Sequence, residues 1–383
     1  MLRRAGLALC LLTAGCGGGS EDLAAPTEPR WRLDHVSESR SMVVVDVLPL
    51  GRDDGWAIAF ETGSGDGDPA FALLRRDGAD WGPAPDHPAL RHEGGAEFTR
   101  LTASGPDDVW LFGQLAADEI AASPDLGALR WNGREWRRVP TGFTLRDAVA
   151  VAPDDVWALD ASSSPVAIAH HWDGREWRQF PAPADYLDHV AASGPDDVWA
   201  AGTDDGRPAV VRFDGDGWRP VPLPRRLAVE GGRIGDLVAL GPEDVWAFGY
   251  LTTGEAVSPF VAHWDGSAWR EVPDTVDDSA DLMPAESALL GTVDGDGGFV
   301  LASVHGAEQH RTGTGDLAVI ADPEPVPGRT DAVTDEDRRQ HLQVHDLELV
   351  PGTREIWAGG AVGVSPALPP DAYARGVIAS YQY

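Results

Sequence analysis

The stretch Ser193-Gly194-Pro195-Asp196-Asp197-Val198-Trp199-Ala200 is one copy of a pattern that recurs along the chain. Each copy places acidic residues in a turn and follows them with a short apolar segment centred on a tryptophan. An internal repeat restricts the possible folds more than any other feature of a single sequence. The copies are centred on Trp56, Trp110, Trp157, Trp199 and Trp246, with a looser copy on Trp357.

The spacing of the copies gives the number of repeat units. The five closely matching tryptophans are separated by 54, 47, 42 and 47 residues, and 111 residues separate Trp246 from Trp357. That longer interval has room for one more unit, which we place on Phe299, 53 residues after Trp246. The sequence therefore predicts seven units.

Each unit predicts four short strands. In the unit at 187–221, alternating or apolar segments at 187–192, 198–202, 209–213 and 217–221 are separated by residues that favour tight turns. Asp-Gly or Asn-Gly dipeptides, which suit two-residue hairpins, precede the fourth segment in several units. Small four-stranded units that cannot bury both faces alone are typical of the blades of a β-propeller. We therefore expect an all-β, seven-bladed propeller of four-stranded antiparallel blades, with the repeated tryptophans wedged between blades.

The two ends of the chain predict how the ring closes. In units two to five the fourth strand begins with Trp-Arg, whereas the last unit reaches Tyr383 without such a segment. An isolated segment, Trp31-Arg32-Leu33-Asp34-His35-Val36, precedes the first complete unit. We expect this segment to pair with the C-terminal strand, so that the last blade is built from both ends of the chain and its sheet edge is covered.

The repeats resemble those of the WD40, YVTN and BNR-like propellers, over residues 30–383. His171-Trp172-Asp173 and His263-Trp264-Asp265 lie where a WD40 repeat ends its third strand with Trp-Asp, although the opening Gly-His is absent. The segment from Asp173 to Trp177 is similar to a sialidase Asp-box but is one residue shorter. The resemblance implies a single propeller domain at 30–383 and does not carry over a family activity.

The N-terminus resembles a bacterial lipoprotein signal. Arg3 and Arg4 precede an apolar run, and small residues lead to Cys16. The run is far shorter than the roughly 20 residues that a membrane-spanning helix needs. We therefore expect residues 1–15 to be a signal peptide, Cys16 to be lipidated after cleavage, and 16–29 to be a flexible tether. The protein would then face the outside of the cytoplasm on a lipid anchor, plain secretion being the alternative.

Composition limits the possible partners. The chain has 62 acidic and 30 basic residues, and its net charge of −32 argues against nucleic acid as a partner. The second cysteine, Cys10, lies in the predicted signal peptide, so the mature domain would contain no disulfide and no cysteine-based metal site. We expect a monomer without a cofactor.

Variable loops predict which face of the propeller carries the site. The turns between strands one and two, and between strands three and four, are short and uniform and lie on one face of the disc. The connections between strands two and three and between blades lie on the other face. Function is more often found on such variable loops, although any single loop can equally be a tolerated insertion. The variable segments are 114–127, 274–284, 322–340 and 361–372.

Few residues are candidates for chemistry. His305, His310, His341 and His345 cluster in the sixth and seventh units, but their spacing on strands gives little support to a metal site. His171 and His263 occupy equivalent repeat positions, which indicates an architectural role. The segment from Asp294 to Gly298 has the composition of a calcium loop. His305 stands where an EF-hand needs glutamate, which excludes an EF-hand and leaves a looser calcium site as a minor alternative. No catalytic residue can be assigned from spacing.

Three functions remain open on the sequence. The first is a binding module for a protein or for a cell-wall or other glycan. The second is a hydrolase or lyase, which a channel with convergent arginines, histidines and carboxylates would favour. The third is a structural or sensory element with no small ligand, which a channel filled with apolar side chains would favour.

Overall fold

A computed structural model describes residues 29–61, 71–85, 96–115, 127–161, 166–254, 256–273, 289–311, 316–364 and 373–382. These ranges contain seven antiparallel sheets of four strands each, which are the blades of a seven-bladed propeller. The predicted fold class and blade number are confirmed. The predicted signal peptide, Cys16 and nearly all of the tether lie outside the described residues.

The strands follow one another in chain order within each blade. Strand β1 (Arg32–Val36) precedes blade 1, which is built from β2 (Met42–Gly51), β3 (Asp54–Glu61), β4 (Phe71–Asp77) and β5 (Asp80–Pro83). Blade 2 contains β6 (Ala96–Gly105), β7 (Asp108–Leu115), β8 (Gly127–Trp131) and β9 (Trp136–Pro140). Blade 3 contains β10 (Leu145–Ala152), β11 (Asp155–Asp160), β12 (Ile168–Trp172) and β13 (Trp177–Pro181). Blade 4 contains β14 (Tyr186–Gly194), β15 (Asp197–Asp204), β16 (Arg207–Phe213) and β17 (Trp218–Pro220).

The remaining blades keep this order, except that the last one takes its fourth strand from the N-terminus. Blade 5 contains β18 (Gly232–Gly241), β19 (Asp244–Thr253), β20 (Ala256–Trp264) and β21 (Trp269–Glu271). Blade 6 contains β22 (Leu290–Val293), β23 (Phe299–Ser303), β24 (Gly306–Arg311) and β25 (Asp316–Val319). Blade 7 contains β26 (His341–Leu349), β27 (Glu355–Gly363), β28 (Ala374–Gln382) and β1.

The N-terminal strand closes the ring as predicted. Strand β1 pairs antiparallel with β28, from Arg32 opposite Ser380 to Val36 opposite Val377. Trp31, only 3% exposed, packs against Tyr381 with ring centroids 5.7 Å apart. The last blade is therefore held by a contact between residues at opposite ends of the chain.

The repeated tryptophans lie between blades, also as predicted. Trp56, Trp110, Trp157, Trp199 and Trp357 are at most 1% exposed. Each contacts aromatic rings of the following blade at centroid distances of 4.6–5.9 Å. Trp199 of blade 4, for example, contacts Trp264 and Trp269 of blade 5. Such contacts bury large apolar surfaces and fix the angle between neighbouring blades.

In blades 1 to 6 a basic side chain covers the repeated aromatic residue, and in blades 1 to 5 it also contacts the acidic residue of the turn before it. In the strand register, basic residues of the third strand lie opposite the second-strand aromatics: Arg75 opposite Trp56, Arg130 opposite Trp110, His171 opposite Trp157, Arg212 opposite Trp199, His263 opposite Trp246 and His310 opposite Phe299. In blade 4, Asp197 accepts hydrogen bonds from Arg212 Nε (2.7 Å) and Trp199 Nε1 (3.0 Å). The second acidic residue of the repeat thus anchors the basic side chain in blades 1 to 5, and His171 and His263, each 2.8 Å from such an aspartate, are architectural.

Helices contribute almost nothing to the described residues. The short 3-10 helix at Asp337–Arg339 lies in the connection between blades 6 and 7. Within the described ranges, no helix has the length and apolar character needed to cross a membrane.

Replacing Trp31 tests the closure of the ring. Trp31→Ala should lower the free energy of unfolding by about 3–5 kcal/mol, because it empties a buried aromatic site between the two ends of the chain. Arg32→Ala is the matched control on the same strand. Its side chain is 70% exposed, and its loss should cost about 1 kcal/mol or less. Urea unfolding followed by tryptophan fluorescence measures both values, and equal losses would contradict the proposed role of Trp31.

Candidate functional site

The innermost strand of a propeller blade has one edge facing the central channel. In six of the seven blades, the register of this strand shifts at an equivalent place, which marks a β-bulge. A bulge adds one residue to the strand and turns the side chains around it. The bulged residues are Val45, Thr99, Arg146, Asp188, Gly235 and His345.

A polar residue follows each bulge and faces a cavity in the channel. These residues are Asp46, Arg100, Asp147, His189, Asp236 and Asp346. Together with the bulged residues, Leu290 and Glu348, they line a cavity of about 270 Å³ to which all seven blades contribute. Arg146 and Asp188 are the second and third residues of their strands, whereas Asp46 and Asp236 are each the fifth of ten, so the cavity extends from mid-channel toward the face that carries the variable loops. The channel is therefore polar at this depth, which argues against an apolar plug.

Two aspartates join blades 7, 1 and 2. Asp346 of blade 7 accepts hydrogen bonds from the amide of Leu347 in its own strand and from the amide of Val47 in blade 1, at 2.7 Å. Asp46 of blade 1 accepts a hydrogen bond from the amide of Leu101 in blade 2, at 2.6 Å. These amides lie on the channel edge of the innermost strands, where a neighbouring strand cannot satisfy them.

Two further aspartates repeat this arrangement around the ring. Asp147 binds the amides of Ala148 and Val190, both at 2.8 Å, and Asp236 binds those of Leu237 (2.8 Å) and Gly291 (3.4 Å). Each of the seven described innermost strands therefore has one channel-edge amide bound to one of four aspartates. We call Asp46, Asp147, Asp236 and Asp346 the aspartate ring.

Arg100 is the cation within the aspartate ring. Its Nη1 lies 3.1 Å from Asp46 Oδ1, and its Nε lies 2.7 Å from Asp147 Oδ1. The guanidinium thus links blade 2 to the blades on either side of it. Arg146, by contrast, pairs with Asp188 at 2.8 Å, and its guanidinium lies 4.8 Å from the ring centroid of Tyr186.

Burial shifts the pKa values of the residues that line the cavity. Desolvation raises the pKa of Asp46 to about 8 and that of Asp236 to about 7, against the attraction of Arg100. Burial and the neighbouring carboxylates raise the pKa of Glu348 well above its usual value. Desolvation within the channel lowers the pKa of His189 and of His345, although the His345 side chain keeps contact with solvent. At neutral pH the cavity therefore carries less charge than its composition indicates.

Among the residues considered from sequence, His345 lies in the cavity and the others do not. His341 is on the same strand but outside the lining, and His310 stacks on Phe299 at 4.9 Å. Asp294, only 1% exposed, accepts hydrogen bonds from backbone amides and from Gln309, so its oxygens stabilise a turn. Among the described residues, no three His, Cys, Asp or Glu side chains are grouped closely enough to hold a metal ion.

Of the four variable segments, 322–340 is the one described throughout. Within it, the buried carboxylate of Asp337 accepts hydrogen bonds from the Tyr373 hydroxyl and from the amides of Gly328 (3.2 Å) and Thr334 (2.8 Å). Arg375 donates to the Pro327 carbonyl at 2.8 Å. This connection is thus fixed to blade 7. The segments 114–127, 274–284 and 361–372 lie wholly or largely outside the described residues.

The residues that follow the bulges could have been recognised in the sequence by their position in the repeat, although they form no known motif. Asp46, Arg100, Asp147, His189 and Asp236 each lie ten residues before the tryptophan of their repeat, and Asp346 lies eleven before Trp357. A charged or polar residue in phase with the repeat, inside an otherwise half-buried strand, predicts a common location. The bulges that turn these residues toward the channel have no comparable local signature.

Comparison with known proteins shows a shared fold and identifies no activity. No protein-family model matches the chain, and curated proteins give no significant match. The solved structure "YCF48 bound to D1 peptide" is 13% identical, with a TM-score of 0.54, and the match covers 94% of this chain and 100% of that one. YCF48 from Cyanidioschyzon merolae is 12% identical, with a TM-score of 0.53 and coverage of 92% and 98%. At such low identity these likenesses show a shared fold.

Replacing Arg100 tests whether its positive charge stabilises the aspartate ring. Arg100→Met should lower the free energy of unfolding at pH 7 by about 3 kcal/mol, because Asp147 would lose a guanidinium at 2.7 Å while remaining buried. Arg100→Lys should recover part of that loss. Arg146→Met, at an exposed position of the same cavity, should change stability by about 1 kcal/mol or less. Urea titration measures all three, and equal losses in the two Met variants would contradict the assignment.

Proposed function

We propose that the chain is an extracytoplasmic binding module that is anchored through a lipid on Cys16 and recognises a protein or glycan at the channel mouth. The observation that carries the proposal is the polar cavity, to which every blade contributes a lining residue. Ligand sites are typically concave and use a few convergent polar groups to orient the ligand. A rigid ring with such a depression on its loop face suits recognition.

The lining favours a protein segment over a glycan. It contains carboxyl groups, guanidiniums and imidazoles but no tryptophan, tyrosine or phenylalanine, and the flat faces of sugars commonly pack against the rings of those residues. Its carboxyl groups outnumber its guanidinium groups six to two and offer many acceptors to a basic segment. The positive charge of such a segment would also favour the ionised form of these carboxyls, so it complements the lining better than an acidic segment. A propeller of similar fold is described as bound to a peptide, which makes peptide binding by this scaffold reasonable.

Part of the lining is free to contact a partner. The aspartate ring is already bound to backbone amides, whereas Arg146 and His345 are exposed and bind no amide between blades. We assign recognition to Arg146, Asp188, His189, His345 and Glu348.

A hydrolase or lyase is the second candidate, because arginines, histidines and carboxyls with raised pKa values converge in the cavity. A catalytic carboxyl must reach the substrate, and those of Asp46 and Asp236 are held by amides. Binding without turnover is therefore the preferred function. Incubating the captured partner with the purified chain and analysing it by mass spectrometry separates the two, since cleavage would establish an enzyme.

Replacing the exposed side chains that line the cavity should strongly reduce capture of the partner. A soluble chain starting at Ala24 would be used as bait on detergent-solubilised membranes of the source organism and on a glycan array. Arg146→Ala combined with His345→Ala should reduce specific capture at least about tenfold, because it removes the exposed recognition groups. Arg134→Ala combined with Arg175→Ala, exposed in turns of the opposite face, is the matched control. Equal capture by both double variants would contradict recognition at the channel mouth.

Lipidation has its own test. Cys16→Ser should move the protein from the membrane fraction to the soluble fraction and abolish labelling by an alkyne fatty acid, because the acceptor sulfur is lost. Cys10→Ser is the matched control and should leave both unchanged. Fractionation and in-gel fluorescence report the outcome. Labelling that survives in Cys16→Ser would rule out this anchor.

A further inference from the structure

The arc formed by blades 7, 1 and 2 concentrates buried carboxyl groups at the channel. Asp46 is 3% exposed and Asp346 is 9% exposed, and each binds an amide of the next blade. The two are also directly connected, because Val47, which donates to Asp346, is the residue after Asp46. Glu348 lies two residues beyond Asp346 on the same strand and lines the same cavity.

Cations do not balance this arc. Asp46 shares Arg100 with Asp147, and Arg146 is paired with Asp188. Among the described residues, no arginine or histidine lies within ion-pair distance of Asp346, Glu348 or Asp236. The other titratable groups that line the cavity are His345, on the strand of Asp346, and, on other strands, Arg100, Arg146, Asp147, Asp188, His189 and Asp236. Ionising every carboxyl would place like charges together in a poorly solvated space.

We propose that Asp46 and Asp346, with Glu348 beside them, form a proton-sensitive clasp that holds blades 7, 1 and 2 together at the channel and loosens as these carboxyls ionise. A neutral carboxyl group still accepts an amide hydrogen bond through its carbonyl oxygen. It also avoids repulsion from its neighbours. Protonation therefore preserves the bridges between blades, and ionisation opposes them.

The direction of the pH effect follows from burial. Desolvation raises the pKa of Asp46 in the folded protein to about 8, from an ordinary value of 3.8. Between these values the folded state holds a proton that the open state has released. The contribution of this group to stability is complete below pH 4 and is lost as pH rises toward 8. Burial raises the pKa of Asp346 in the same direction.

Hydrogen exchange of the full chain tests the clasp. Protection factors of the Val47 and Leu101 amides, corrected for intrinsic exchange rates, should fall as pH rises from 6 to 8, by up to roughly tenfold per pH unit. The amide of Ala200, buried in blade 4, exchanges through global opening, which releases the same protons, so it should be more strongly protected than Val47 and Leu101 at every pH. Protection at Val47 and Leu101 that is constant from pH 6 to 8, or that equals the protection of Ala200, would overturn the proposal.

Asparagine variants separate the effect of carboxyl ionisation from the effect of side-chain shape. Asp46→Asn and Asp346→Asn keep an acceptor oxygen but cannot ionise, so the pH dependence of protection at Leu101 and Val47, respectively, should flatten. Asp188→Asn alters a carboxyl of the same cavity that binds no amide between blades, and it should keep the wild-type pH dependence. A wild-type response in both Asp46→Asn and Asp346→Asn would also overturn the proposal. If a variant does not fold, the wild-type pH series still decides.

Discussion

The unpaired inner edge of every blade is the constraint on which the centre of this propeller depends. A sheet that ends at a channel leaves amides that no neighbouring strand can satisfy, and a ring of seven blades has seven such edges. Four aspartates satisfy one amide in each blade, because each carboxylate has two oxygens and three of the four bind two amides. At this depth each described blade therefore has one inner-edge amide bound by a carboxyl group, although no neighbouring strand covers that edge.

The second and third strands of blades 1 to 5 use charge differently. There the acidic residue before the tryptophan binds a basic side chain that covers the indole, as Asp197, Arg212 and Trp199 do. This ion pair is mostly buried and its charges balance, whereas the channel combines buried carboxyls with fewer cations. The same residue type thus fixes blade geometry at the rim and creates an electrostatically costly site at the centre.

The architecture could be predicted from sequence because it is encoded locally and repeatedly. Tryptophan spacing gave seven blades, and the isolated segment beginning at Trp31 gave the closure, since each feature lies within one short stretch of residues. The cavity could not be predicted in the same way. Its residues come from seven distant strands, and their direction depends on bulges at positions such as Val45 and His345 that lack a distinctive local sequence.

Architecture also limits which residues can confer specificity. Asp147, Asp236 and Asp346 each bind one amide in their own blade and one in the next. Rotating such a side chain toward a ligand, or replacing it with one that has no acceptor, would leave two buried donors without a partner. These residues are therefore poor positions for substitutions that change ligand specificity. Arg146, Asp188 and His345 are under no such constraint, because they lie at bulges and bind no amide between blades. A propeller of this type can therefore change its partner through the bulged positions while the aspartate ring keeps the blades together.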